Sequence, residues 1–420
     1  MKPKLLTTLP DYSAGQFRAD ALAGVTVALV ALPLSLAIAI ASGANPAAGL
    51  VTAIVGGFLI SLLGGSRVQI GGPTGAFIVV VYGVIAAHGY DGLVLATLMA
   101  GLILLAAGLL RAGNLVEWVP EPVVNGFTIG IAVIIGSGQV KDFLGLHVDH
   151  LPADFMPKIA AMWAARGTLN PVACAAGLGS LVAIVAIRRM FPRLPGLIVV
   201  VAAVSAAVAL LHLPVDTIGS RFGVLPSHLP LPHVPTITLD RVRELLPSAC
   251  VIAFLAAIES LLSAMVADRL IGGSHRPNAE VLAQGWANLG SALFGGLPAT
   301  GAIARTATNV RAGGRTPVAG LVHALAILGF MLAAAPLAGY LAMPALAALL
   351  LSTAWNMSEP HKWRHYWAAP VSDRFLLLLT LVLTVLTDLT VAIGVGVGLG
   401  LALRLREGRT AAEVWSEPDR

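Results

Sequence analysis

Three side chains carry charge or a hydroxyl where the surrounding sequence is apolar. Glu259 lies in the run Ala256-Ala257-Ile258-Glu259-Ser260-Leu261-Leu262-Ser263. Ser263 follows at four residues, the spacing that sets two side chains on one face of a helix. A carboxylate and a hydroxyl so placed beside a water-filled cavity can hold a proton or a sodium ion. The plainer reading is a buried acid hydrogen-bonded to a neighbouring helix. Arg305 comes just after Thr300-Gly301-Ala302-Ile303-Ala304. A fixed cation in the first turns of a helix, beside unpaired backbone amides, attracts an anion. It can instead snorkel to the water interface or neutralise Glu259. Glu117 and Asp388 sit at the ends of apolar runs, where solvated or capping roles are the default.

Two broken stretches set the frame for these residues. One is Gly71-Gly72-Pro73-Thr74-Gly75-Ala76-Phe77 and the other Gly295-Gly296-Leu297-Pro298-Ala299-Thr300-Gly301-Ala302. Each has a double glycine, then a proline, then Thr-Gly-Ala. Proline removes an amide donor and paired glycines loosen the backbone, so both stretches are expected to be non-helical at membrane depth. Each is followed by a short helix whose free N-terminal amides make an anion site. Two such breaks at corresponding places in two halves of a membrane chain point to an inverted-repeat transporter.

Composition supports a membrane setting. Of 420 residues, 57% are hydrophobic and 11% charged, and 45 are glycine. A soluble domain of this size has no means of hiding so much apolar surface, which makes the chain a polytopic membrane protein. A charge at bilayer depth costs on the order of 3 kcal/mol, so Glu259 and Arg305 are expected to be functional. The net charge of +5 is read by location and implies no nucleic-acid partner. Cys174 and Cys250 both fall in apolar runs and are expected to be packing residues, without a disulfide framework or metal site. Residues 1–20 lack a cleavable signal pattern.

Apolar runs fall at about 21–42, 46–64, 74–87, 92–110, 124–139, 172–188 and 195–212. A second set falls at about 247–266, 280–294, 302–311, 318–336, 342–357, 374–387 and 389–405. The expectation is an all-α protein of fourteen spans in a seven-plus-seven inverted repeat, the third of each set being a half-helix. With both termini cytoplasmic, most basic residues fall inside, among them Arg67, Arg111, Arg188, Arg276, Arg311, Arg374 and Arg404. That is the bias the positive-inside rule asks for. Lys141, Lys158, Arg166, Arg221, Arg241 and Arg243 then fall outside, in two long loops at about 141–170 and 213–246. The second loop is rich in Pro and His, at irregular spacings that favour a solvated loop over a metal site.

The residues resemble the sulfate permease (SulP) anion transporters. Leu32-Pro33-Leu34-Ser35-Leu36-Ala37 and Ser42-Gly43-Ala44-Asn45-Pro46 look like that family's first-span signature. Gly64 to Gly75, Asn278 to Gly285 and Ala304 to Thr316 carry three more of its motifs in order, so the resemblance covers essentially the whole chain. It implies a core domain (about 21–111 and 247–336) that moves as an elevator against a gate domain (about 112–246 and 337–405), usually in a homodimer. It places the substrate anion among Ile38, Thr74, Gly75, Ala76, Thr300, Gly301, Ala302, Ala304 and Arg305. It implies a coupling ion, Na+ or H+, at Glu259 and Ser263. This chain departs from the family at Leu34, where many members have Gln, and at Ala302 and Ala304, where some have Ser. Residues 406–420 are expected to be a short cytoplasmic tail without the STAS domain that most members carry.

The expected function is secondary active transport of a small inorganic or carboxylate anion such as sulfate, bicarbonate, chloride or a dicarboxylate. The expected place is the plasma membrane, with lipid, the anion and a second copy as partners. A nucleobase–proton symporter shares the fold but would want polar base readers where Ala302 and Ala304 stand. A passive anion channel is the alternative of a different class, with Glu259 then only structural. No nucleophile–base spacing or metal motif supports an enzyme, and no cofactor is expected.

Overall fold

The structure is a computed structural model describing residues 2–114, 119–148, 151–191, 195–387 and 389–407. Glu117, Arg193, Asp388, the side chains of 404–407 and the tail beyond 407 lie outside this description. In chain order, α1 (Lys4–Thr8) leads to α2 (Ala14–Ala41). α3 (Pro46–Val51), a π-helical turn (Thr52–Gly56) and α4 (Gly57–Leu63) follow one another directly. β1 (Gly71–Gly72) and a 3-10 turn (Gly75–Phe77) open α5 (Ile78–Leu109). After these come α6 (Glu121–Leu144), α7 (Phe155–Ala164), α8 (Pro171–Met190), α9 (Gly196–Leu210) and α10 (Ile218–Phe222). The rest comprises α11 (Leu239–Ile271), α12 (Pro277–Leu293), β2 (Thr300–Gly301), α13 (Ile303–Arg311), α14 (Val318–Ala338) and α15 (Met343–Met357). The chain closes with α16 (Trp363–Ala368), α17 (Val371–Leu386) and α18 (Leu389–Glu407).

Among the described residues, seven helical stretches are long and apolar enough to cross a membrane. They are 14–41, 46–63, 75–109, 121–144, 171–190, 239–271 and 318–338. The runs expected at 74–87 and 92–110 join into α5, with Gly89 (φ 69°, ψ −178°) marking the break between them. The stretch read as a loop at 141–170 contains α7, and the one at 213–246 contains α10 and the first turns of α11. Cys174 is half-buried as expected, but Cys250 is exposed on α11. Helical periodicity turns that position outward, where a small apolar thiol suits lipid as well as a protein core.

Caps start the helices where the sequence offers them. Ser13 and Gln16 form a capping box at α2, and Asn170 caps α8 through its carboxamide. Helix pairs are held by small residues, because lipid gives no hydrophobic drive for one apolar helix to seek another. A Cβ on Gly24 of α2 would lie 2.5 Å from the carbonyl of Ala319 in α14. One on Gly101 of α5 would lie 3.0 Å from the carbonyl of Gly285 in α12, and one on Gly126 of α6 2.5 Å from that of Leu377 in α17. The abundance of glycine is thus partly a packing requirement. Asp20, fully buried in α2, accepts from the amides of Arg315 (2.7 Å) and Thr316 (3.2 Å) and from the Thr316 hydroxyl. That carboxylate ties the first long helix to the turn before α14.

Candidate functional site

The two breaks meet. Pro73 and Pro298 each lack an amide donor and follow paired glycines, and the non-helical backbone around them needs partners outside its own segment. Each break supplies partners to the other: β1 and β2 run antiparallel, with Gly71 opposite Gly301 and Gly72 opposite Thr300. The amide of Ala302 donates to the Ile70 carbonyl (2.9 Å), and the amide of Ile70 donates to the Thr306 hydroxyl (3.1 Å). Asn288 of α12 clamps Ala299, giving to its carbonyl and accepting from its amide, both at 2.9 Å. Thr52 in the π-helical turn accepts from the Leu297 amide at 2.6 Å. Two short helices, one beginning at Gly75 and one at Ile303, therefore open from a common crossing. The first amides of each lack partners within their helix.

α11 lies across this crossing and bonds to it along one side. Thr74 Oγ1 donates to Glu259 Oε2 at 2.7 Å. Thr300 Oγ1 donates to the Ala256 carbonyl at 2.9 Å. Ser263 Oγ lies 3.1 Å from Thr306 Oγ1 of α13. Glu259 and Ser263 thus share a helix face but bond to different breaks, and no hydrogen bond joins them among the described residues. Nor does an ion pair join Glu259 to Arg305 there.

Arg305 is 2% exposed. Its Nη2 donates to Ser35 Oγ of α2 at 3.1 Å. Its Nε and Nη1 are buried and have no partner among the described residues. The guanidinium runs so close under β1 that a Cβ on Gly72 would sit 2.2 Å from Nη1. Gly72 has φ 147°, which an L side chain rarely adopts, so only glycine leaves this channel open.

The other residues expected in the anion site differ in burial. Gly75, Ala76, Gly301 and Ala302 are buried, as is Ile38 of α2 at 1%. Ala304 is exposed at the start of α13. Thr300 is buried and, through its bond to Ala256, has its hydroxyl turned to α11.

Four buried polar residues near the crossing escaped the reading of single residues. Glu280 Oε2 accepts from the amides of Gly65 (2.8 Å) and Ser66 (3.2 Å), and its Oε1 accepts from Ser260 (2.9 Å) and Gln284 (2.9 Å). Gln69 donates to the same Ser260 at 2.7 Å, and its side chain fills the space a Cβ on Gly301 would need. Glu280 is therefore the fixing point of the segment that leads into β1. Ser35 is the partner of Arg305. His323 of α14 is fully buried, within electrostatic reach of Arg305, and both its ring nitrogens lack partners among the described residues. A histidine or glutamate within an apolar run is a readable signal. What it bonds to is set by chain segments hundreds of residues away.

Comparison with known proteins follows the same lines. Residues 17–380 match the model of the sulfate permease family. Over 380 residues the chain is 42% identical to a Bacillus subtilis (strain 168) protein that carries the name of a sulfate transporter, YvdB, covering 90% of this chain and 72% of that one. It is 32% identical over 387 residues to the bicarbonate transporter BicA of Synechocystis sp., covering 88% of this chain and 66% of the relative. This chain therefore spans two-thirds to three-quarters of those relatives' lengths. The solved transmembrane domain of a cyanobacterial BicA superposes with a TM-score of 0.83 at 30% identity, over 91% of this chain and 99% of that domain. Its relatives are named as transporters and not as enzymes, and the chain belongs to the sulfate permease family.

Proposed function

We propose that the chain is a secondary active transporter of a small anion, sulfate or bicarbonate in the first instance. One observation carries the reading: a buried guanidinium beneath the paired breaks keeps two of its nitrogens without a protein partner among the described residues. An unpaired buried charge is costly, and an anion with several acceptor oxygens is the natural complement of a guanidinium fork. The anion lies at the openings of the two short helices, near Thr74, Gly75, Ala76, Thr300 to Ala302, Ala304 and Ile38, with Arg305 at its back. Glu259, held by Thr74, carries the coupling ion, H+ or Na+, and Ser263 lies one turn further along the same helix.

In this reading the chain crosses the membrane fourteen times as two inverted halves. The core (21–111 and 247–336) carries the anion past the gate (112–246 and 337–405) in an elevator movement. Both termini are cytoplasmic, the membrane is the plasma membrane, and two copies associate. Uptake of radiolabelled sulfate and bicarbonate into proteoliposomes, with sodium and pH varied separately, tests it. Saturable uptake that responds to one of the two cations supports coupled transport. Dissipation of an anion gradient without response to either indicates a passive channel.

A further inference from the structure

The site at Arg305 leaves Lys158 unexplained. This residue of α7 is 6% exposed, and its ammonium lies 5.4 Å from the centroid of the Tyr82 ring of α5. The Tyr82 hydroxyl is committed to the Leu151 carbonyl at 2.5 Å, so the ring is held where the ammonium meets it. Asp154, which precedes α7, is within electrostatic reach. Among the described residues no hydrogen bond or ion pair to Lys158 exists. An ammonium has three N–H donors, and among the described residues the protein group that meets this one is a ring face, which leaves its donors to the cavity.

Lys158 lines a cavity of about 590 Å³ between the ends of α2 and α6, the first turns of α5, and the segment 151–158. Its other basic walls are already engaged. Arg221 pairs with Asp142 (2.7 Å) and Asp216 (3.1 Å), and Lys141 donates to the Val148 carbonyl at 2.7 Å. Asp142, the carboxylate on the wall, shares the charge of Arg221 with Asp216. Ile135, also on the wall, has its Cδ1 3.3 Å from where a Cβ on Gly75 would lie, so the cavity approaches the opening of the first short helix.

We propose that this cavity is a second anion-binding site, in which Lys158 takes a small oxyanion such as sulfate on its way to or from Arg305. The Tyr82 ring holds the ammonium while the site is empty, and an oxyanion supplies the acceptors that the protein omits. The proposal rests on the reading of the chain as an anion transporter. Burial also pushes the Lys158 ammonium below its usual range, which makes its amine a better nucleophile than a surface lysine.

That nucleophilicity gives the test. Purified protein in detergent is treated with an amine-acylating reagent, with sodium sulfate or with sodium gluconate at equal ionic strength. Acylation of Lys158 is then followed by peptide mass spectrometry. Lys362, paired with Glu359 at 3.0 Å, serves as the internal reference. The expected result is that sulfate slows Lys158 labelling roughly tenfold, as one charge-assisted contact would, and does so equally in wild type and in Arg305→Gln. Protection in neither protein overturns the proposal. Protection in wild type alone also overturns it, because the effect then originates at Arg305. Transport by Lys158→Gln supplies the second readout: the half-saturating anion concentration should rise roughly tenfold with the maximal rate kept, and Lys158→Arg should restore it. A lowered maximal rate with unchanged half-saturation marks a structural role and counts against the site. Unimpaired transport by Arg305→Gln with Lys158 still protected would remove the Arg305 reading and leave this one standing.

Discussion

The hydroxyl of Thr74, which opens the first short helix, is bonded at 2.7 Å to Glu259, an acid on α11. One contact thus joins a wall of the proposed anion site to the group proposed to carry the coupling ion. If that joint transmits coupling, the two residues are not independent. Thr74→Val and Glu259→Gln should each weaken the response of transport to pH or sodium. Their double variant should be no worse than the more affected single one, a non-additivity of about 1–2 kcal/mol. Additive losses in a double-mutant cycle of initial uptake rates would separate them.

Glu259→Gln alone mimics the protonated acid. It should still bind anion but transport it at a rate indifferent to the coupling ion. Persistence of the full wild-type response to pH and sodium would make Glu259 a structural acid.

Gly72 leaves no room for a side chain beside Arg305 Nη1. Gly72→Ala should displace the guanidinium, lower anion affinity at least tenfold and cost roughly 1–3 kcal/mol of stability. Gly83→Ala, at a position with nothing within 4 Å of the added carbon, is the matched control and should be neutral. Thermal melting and anion titration of the two variants compare them directly.

Much of this site was legible from residue types alone. Pro73 and Pro298 announce broken helices because each follows a pair of glycines, as Pro33 inside α2 does not, and Arg305 and Glu259 stand out because charge is costly among apolar neighbours. The pairing of the two breaks was not legible, since nothing in either segment says that its missing partner is the other, 230 residues on at Gly71 and Gly301. Helical spacing set Ser263 on the face of Glu259 but could not say that Thr306 would take its hydroxyl. Glu280 begins a helix in the sequence, where acids are ordinary, and only the folded chain brings the amides of Gly65 and Ser66 to it. Lys158 reads as a loop cation because α7 is short and mixed in character.

Glu280 yields a stability prediction. Glu280→Ala orphans two buried amides and the donors of Ser260 and Gln284, a loss of roughly 2–4 kcal/mol. The melting temperature in detergent should fall, and uptake per folded molecule should fall with it because the approach to β1 is loosened. A variant as stable as wild type would show that Glu280 does not fix that segment.

At the protein's edge, burial and the hydrogen bond to Asp20 push the Tyr12 hydroxyl up to about 12 from the usual value near 10. The folded state then holds the proton longer than the unfolded one. That contribution is complete below pH 10 and is lost as pH rises to about 12. Alkaline melting curves should therefore be steeper for wild type than for Tyr12→Phe across that window, and parallel curves would contradict the assignment.

The most direct test of the anion site is a titration of purified protein with sulfate and with bicarbonate at fixed pH and ionic strength, comparing wild type with Arg305→Gln. Saturable binding of at least one anion to wild type is expected. Binding weaker by roughly ten- to a hundredfold is expected in the variant, as the loss of one or two charge-assisted hydrogen bonds requires, with a melting temperature no lower than that of wild type because a buried unpaired charge is removed. Equal affinity in the two proteins would contradict it.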